Sequence, residues 1–134
     1  MFRVSINNLF SPVNIRGVEF PNRIVVPPMC QYSAHEGYVD DWHLVNLGRF
    51  AMGGAGLIIT EATAVQKKGR ITHGCPGIWK DEQIIGHSRI AQFISRNGAI
   101  PGIQLAHAGR KASMQRPWYG NCLLYTSPSP RDTG

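Results

Sequence analysis

No stretch of this chain approaches the roughly 18 consecutive apolar residues of a membrane span. The N-terminus alternates polar and apolar residues where a secretory leader would carry a hydrophobic block. A membrane partner is therefore not expected, and the expected location is cytoplasmic. Cysteine is scarce: Cys30, Cys75 and Cys122 make an odd number with no CxxC pair, which argues against a disulfide framework and against structural zinc. His35, His43, His73 and His87 show no ligand spacing either, so no metal is expected. Acidic residues are few, 8 against 14 Lys and Arg, leaving a net charge of +6. The basic residues are scattered, however, and only Lys67, Lys68 and Arg70 cluster. Nucleic acid is not expected on that pattern, and diffuse positive charge suits a phosphate-bearing small molecule equally well.

What remains is a soluble globular composition, 43% hydrophobic and 16% charged over 134 residues, enough for one modest domain. Arg16–Phe20 and Arg23–Val26 read as two short extended runs around Pro21-Asn22, the second ending at Pro27-Pro28. Asp40 or Asp41 can cap a helix carrying Leu44, Leu47, Phe50 and Ala51 at helical spacing, stopped by Gly53-Gly54. Leu57-Ile58-Ile59 then leads into Thr60-Glu61-Ala62, a continuous apolar run of the kind found in parallel strands buried on both faces. An irregular, Gly- and Thr-rich stretch follows to Lys80. Asp81 is the expected cap of a second helix bearing Ile84, Ile85, Ala91 and Ile94, closed by Asn97-Gly98. Ile100–Leu105 gives a third short strand with Pro101 near its start, where a missing donor costs least.

Strands alternating with helices predict a parallel α/β sheet, either open and doubly wound or closed as a barrel. Periodicity does not separate the two, but the placement of polar residues does. Met29, Cys30 and Tyr32 follow the first strand, Glu61 and Ala62 end the second, and Gln104 and His107 lie at or after the end of the third. Barrel enzymes gather their chemistry at such strand ends. Gly53-Gly54-Ala55-Gly56 follows a helix and precedes a strand, the reverse of a dinucleotide-binding turn, so it reads as a helix stop.

Pro27-Pro28-Met29-Cys30-Gln31-Tyr32, Gly56–Ala62, Gly77–Glu82 and Gln104–Lys111 resemble, in order and spacing, motifs of the Old Yellow Enzyme family. The resemblance runs from about Leu9 to Asn121, and Leu9–Pro12 with Pro21–Ile24 is similar to the hairpin that caps the barrel floor there. It implies an α/β chain forming the N-terminal part of a TIM (β/α)8 barrel with a capping β-hairpin, cut after the third strand. It further implies FMN as cofactor, NAD(P)H as hydride donor, an enone-type small-molecule substrate and a homo-oligomeric parent. Cys30, where yeast-like members carry threonine, points to the bacterial thiol-containing subgroup, and would lie near the flavin N5 and O4 edge. A thiol is a weak, polarizable donor that tunes the flavin potential; its bland alternative is a small buried apolar residue. Tyr32 would be catalytic, its phenol donating to the enone carbonyl and stabilising the enolate-like charge, as against a packing tyrosine. Ala62 would admit the isoalloxazine ring close to the backbone, and the Gln104 amide would meet the pyrimidine edge. Pro27, Pro28 and Met29 complete the implied cofactor contacts. His107 and Arg110 could equally be loop residues, and Trp79 could be core.

A whole barrel needs about 250 residues, so the substrate histidine pair after the fourth strand and the late phosphate site are expected outside this chain. Cys122–Asp132 continues no helical or strand period, and reads as the in-frame product of a transposon-type sequencing adapter. Residues 1–121 are thus expected to be the barrel portion and 122–134 a non-native tail; Ser-Pro linkers are the bland alternative. Two other functions stay open, a larger iron–sulfur flavoprotein such as a dienoyl-CoA reductase, and a short non-enzymatic protein that binds through its open barrel edge.

Overall fold

A computed structural model describes residues 8–120. The expected tail at 122–134 lies outside the described residues. The chain begins with an antiparallel hairpin, β1 (Val13–Ile15) and β2 (Val18–Phe20), in which Val13 faces Phe20 and Ile15 faces Val18. Its two-residue turn has both central residues at positive φ, Arg16 at 49° and Gly17 at 84°, the geometry that suits the strands' right-handed twist. The hairpin's turn thus lies at Arg16-Gly17, within a run expected to be extended, and is separate from the bend expected and found at Pro21-Asn22. Pro21-Asn22 links the hairpin to β3 (Val25–Val26), which belongs to a different sheet. Asn22 does the anchoring: its Oδ1 accepts from Ile24 N at 3.0 Å and its Nδ2 donates to Gly54 O at 2.7 Å.

The second sheet has the order β3-β4-β5, all parallel, with β4 at Leu57–Ala64 and β5 at Ile100–Ala106. Helix α1 (Asp41–Met52) crosses from β3 to β4 and α2 (Ile84–Arg96) from β4 to β5. Asp40 is the cap of α1, accepting from Trp42 N, while His43 Nδ1 lies 3.1 Å from the Asp40 backbone N. Gly54, at φ 95°, turns the chain back toward β4. The start of α2 departs from the expected pattern. Asp81–Gln83 form a 3-10 turn, closed by Gln83 Oε1 accepting from Trp79 N and Lys80 N, and α2 follows from Ile84 with no side-chain cap bond. Ile85 is exposed, because the face that meets the sheet carries Ile90 and Ile94, one helical turn apart.

Val26, Leu47, Ala51, Ile58, Ile90 and Ile94 form the core between the two helices and one face of the sheet. Fully burying Ile58 alone contributes about 2–3 kcal/mol. The other face is open among the described residues. Leu57 and Ile59 there are only half-buried, so β4 is covered on one side rather than on both. Beside α2, a groove of about 290 Å³ is lined by Ile78, Ile84, His87, Pro101 and Ile103, away from the strand ends. Among the described residues β5 is an edge strand with Ile103 and Leu105 exposed.

Candidate active site at three strand ends

The carboxyl ends of β3, β4 and β5 lie side by side because the strands are parallel and adjacent. After β3, Pro27-Pro28 removes two backbone donors, so the strand cannot extend its ladder. Pro27 and Met29 keep exposed surface there, and Pro28 and Cys30 are half-buried. Tyr32 sits at φ 54°, a left-handed conformation that is uncommon for a bulky residue. It is held there by neighbours. Gln31 N donates to Glu61 Oε2 at 3.2 Å on one side, and Ala34 N to Gly74 O at 2.9 Å on the other. Strain maintained by surrounding contacts is characteristic of functional sites.

The end of β4 is built around a register shift. Thr60 pairs with Ile103 and Thr63 with Leu105, so Glu61 and Ala62 together oppose Gln104. Two residues against one is a β-bulge, which re-aims side chains at a strand end. Ala62 is buried, and its backbone N–H lies in reach of the Cys30 thiol. Gly102 shares its face with Leu57 and Ile59, and strand alternation places Gln104 on that same open face. The Gln104 side chain is exposed and makes no hydrogen bond to a described residue.

The sequence-predicted Cys30, Tyr32 and Ala62 therefore come together, with Gln104 across the bulge. Burial first, and the neighbouring Cys30 after it, raise the pKa of the Tyr32 hydroxyl. His107 takes the bland alternative. Its Nδ1 accepts from Gly109 N at 3.0 Å, which leaves Nε2 to donate to Gln66 Oε1 at 3.1 Å, so the ring is satisfied by its own loop and by the loop after β4. Arg110 is exposed. Trp79 is half-buried against Gly37 and Gly77, with Arg70 stacked 5.4 Å from its ring, a packing role.

Three participants were given no role from the sequence. Glu61 is only 4% exposed, and its Oε1 has no partner among the described residues while Oε2 holds Gln31. Burial pushes its carboxyl up to about 7. Its signal was a carboxylate inside an apolar strand. Cys75 and Cys30 perturb each other's ionisation, a coupling with no local sequence signal. Trp118 packs edge-on against Tyr32 at 5.9 Å and 78°. The loop carrying it is docked by Ser113 N to Arg70 O, Met114 N to Ile71 O, and Arg116 Nη2 to Ala34 O.

Comparison with known proteins identifies the family and the fold. The family described as NADH:flavin oxidoreductase / NADH oxidase matches residues 8–132. A NADH:flavin oxidoreductase of Gibberella zeae is 53% identical over 110 residues, covering 82% of this chain and 27% of that protein. A NADPH dehydrogenase of Geobacillus sp. is 50% identical over 108 residues, covering 79% of this chain and 32% of its own length. Among solved structures, a morphinone reductase superposes with TM-score 0.74 at 29% identity, covering 83% of this chain and 29% of that one. An Old Yellow Enzyme from Pichia sp. superposes with TM-score 0.73 at 30% identity, covering 79% and 28%. The described strands and helices are thus a portion of a TIM barrel, and this chain spans under a third of the length of these relatives. On the strength of the family match, this chain belongs to the NADH:flavin oxidoreductase / NADH oxidase family.

Proposed function

We propose that this chain is the flavin-facing N-terminal portion of an FMN-dependent NAD(P)H oxidoreductase that reduces the activated C=C bond of α,β-unsaturated carbonyl compounds. The supporting observation is the convergence of Cys30, Ala62 and Gln104 at three adjacent strand ends, with the strained Tyr32 beside Cys30. These residues fit the group. A free primary amide offers both a donor and an acceptor to a pyrimidine edge, an alanine leaves the backbone approachable, and a thiol gives a weak donor. FMN, when bound, supplies the two-electron carrier between the nicotinamide and the alkene.

The chain's own residues would do the rest. Gln104, Cys30 and the backbone at Ala62 would hold the cofactor. Pro27, Pro28 and Met29 would shape the surface beside it. The Tyr32 hydroxyl is the proposed donor to the substrate carbonyl oxygen, where negative charge grows as the double bond is reduced. A phenol whose pKa is raised stays protonated and able to donate at neutral pH. Residues 122–134 we attribute to adapter sequence; independent genomic reads crossing from Asn121 into this tail would sink that attribution.

The test is made on the longer protein whose frame continues past codon 121. Enone-dependent NAD(P)H oxidation is expected, and Tyr32→Phe is expected to lower kcat by roughly 10- to 100-fold with folding intact. No turnover with any activated alkene would refute the reading.

A further inference from the structure

Cys30 and Cys75 are both free thiols, 45 positions apart in sequence but on segments sewn together. Ala34 N donates to Gly74 O at 2.9 Å, and Gly74 packs so tightly on the Tyr32 carbonyl that no Cβ would fit. The two thiols that these backbones carry are near enough to perturb each other's ionisation. Cys75 is further fixed by Thr72, whose backbone N lies 3.4 Å and hydroxyl 3.8 Å from its Sγ. Cys75 is 1% exposed, whereas Cys30 keeps solvent access at the strand end. An accessible thiol with a buried, anchored second thiol behind it is the arrangement of a peroxide-sensitive pair.

We propose that Cys30 and Cys75 form a redox-active dithiol that reacts with hydrogen peroxide to give an intrachain disulfide. The pair ionises readily as a unit. One thiolate is stabilised by the S–H of its partner and by the Thr72 donors, which draws Cys75 down to about 6 while the remaining proton on Cys30 is held tightly. Peroxide arrives at Cys30. As the Cys30 sulfur attacks, its proton passes to the neighbouring Cys75 thiolate; the O–O bond breaks, leaving Cys30 as a sulfenic acid and releasing hydroxide. Cys75 then attacks the Cys30 sulfur. The S–S bond forms, the S–O bond breaks, and the hydroxyl leaves with the Cys75 proton as water. The singly ionised pair and one hydrogen peroxide become a disulfide, one water and one hydroxide; both sulfurs are oxidised and the peroxide is reduced. Without a second thiol, a sulfenic acid proceeds to sulfinic acid, which cells rarely reverse.

This site needs no flavin, so its failure would leave the proposed function standing. If that function also holds, the disulfide withdraws the Cys30 thiol from the cofactor-facing strand end.

The experiment treats the intact 134-residue chain with about one equivalent of hydrogen peroxide, blocks the remaining thiols, and maps unreduced peptides by mass. Cys122 provides an internal control, because Cys75 is nearly as distant from it along the sequence as from Cys30. Loop-closure entropy alone would therefore give the two pairings equal weight, and equal yields are expected in urea. In native buffer the Cys30–Cys75 peptide is expected to exceed the Cys75–Cys122 peptide by about tenfold or more, from the higher effective concentration. Dithiothreitol should restore both thiols, and Cys75→Ser should divert Cys30 to sulfinic acid. Cys122→Ser should leave the Cys30–Cys75 yield unchanged. Equal pairing in native buffer, or the same Cys30 product with and without Cys75, would overturn the proposal.

Discussion

Replacing Glu61 by glutamine tests the most unusual electrostatic feature of the strand ends. The carboxyl is 4% exposed, accepts one backbone hydrogen bond, and has its pKa raised from 4.5 to about 7 chiefly by burial, the Gln31 N–H opposing. An acid that is harder to ionise when folded binds more protons folded than unfolded between these two values. Its contribution is therefore fully favourable below about pH 4.5 and is lost as pH rises through about 7, to the extent of roughly 3 kcal/mol. Glutamine keeps an oxygen for the Gln31 N–H and never ionises. Burial lowers His43, His73 and His87, which act with the opposite sign, but both proteins share them and the difference cancels. Stability is read by pulse proteolysis in urea at submicromolar protein, at about pH 5 and about pH 8. Glu61→Gln should gain on the wild type by roughly 2.5 kcal/mol between the two conditions. A stability difference that does not change with pH would refute a buried, neutral Glu61.

Asp40→Ala removes the oxygen that accepts from Trp42 N, and should cost about 1 kcal/mol by urea denaturation. Ile58→Ala empties a fully buried position between the sheet and both helices, for an expected loss of about 2–5 kcal/mol. The chain alone should self-associate, since β5 is an edge with Ile103 and Leu105 exposed beside an apolar groove; a monodisperse, cooperatively melting sample in sedimentation would contradict this.

The β-α-β-α-β order was legible because each element carries its own local signal. Asp40 and Gly53-Gly54 bracket α1, and the apolar runs at Leu57 and Ile100 mark strands. Misreadings fell where a contact with another segment decides. Arg16-Gly17 turns where an extended run was expected, because β1 pairs with β2, and Gln83 reaches back to Trp79 and Lys80 to close a 3-10 turn ahead of α2 where Asp81 was the expected cap. At the site, Cys30, Tyr32, Ala62 and Gln104 were visible as strand-end residues because parallel topology aligns strand ends by itself. Cys75 and Trp118 were not, since both reach the site on loops whose course is set by backbone hydrogen bonds to other loops. The bulge that sets Glu61 and Ala62 against Gln104 is likewise a property of strand pairing, not of either strand.

The central claim is that these strand ends face FMN, and its most direct measurement is an FMN titration of the longer protein, wild type against Gln104→Ala, followed by flavin fluorescence. The wild type should bind FMN and be yellow, and losing the amide should weaken binding by roughly tenfold, the worth of a hydrogen bond or two. A longer protein that folds but binds no FMN, or that binds it equally well without Gln104, would contradict the account.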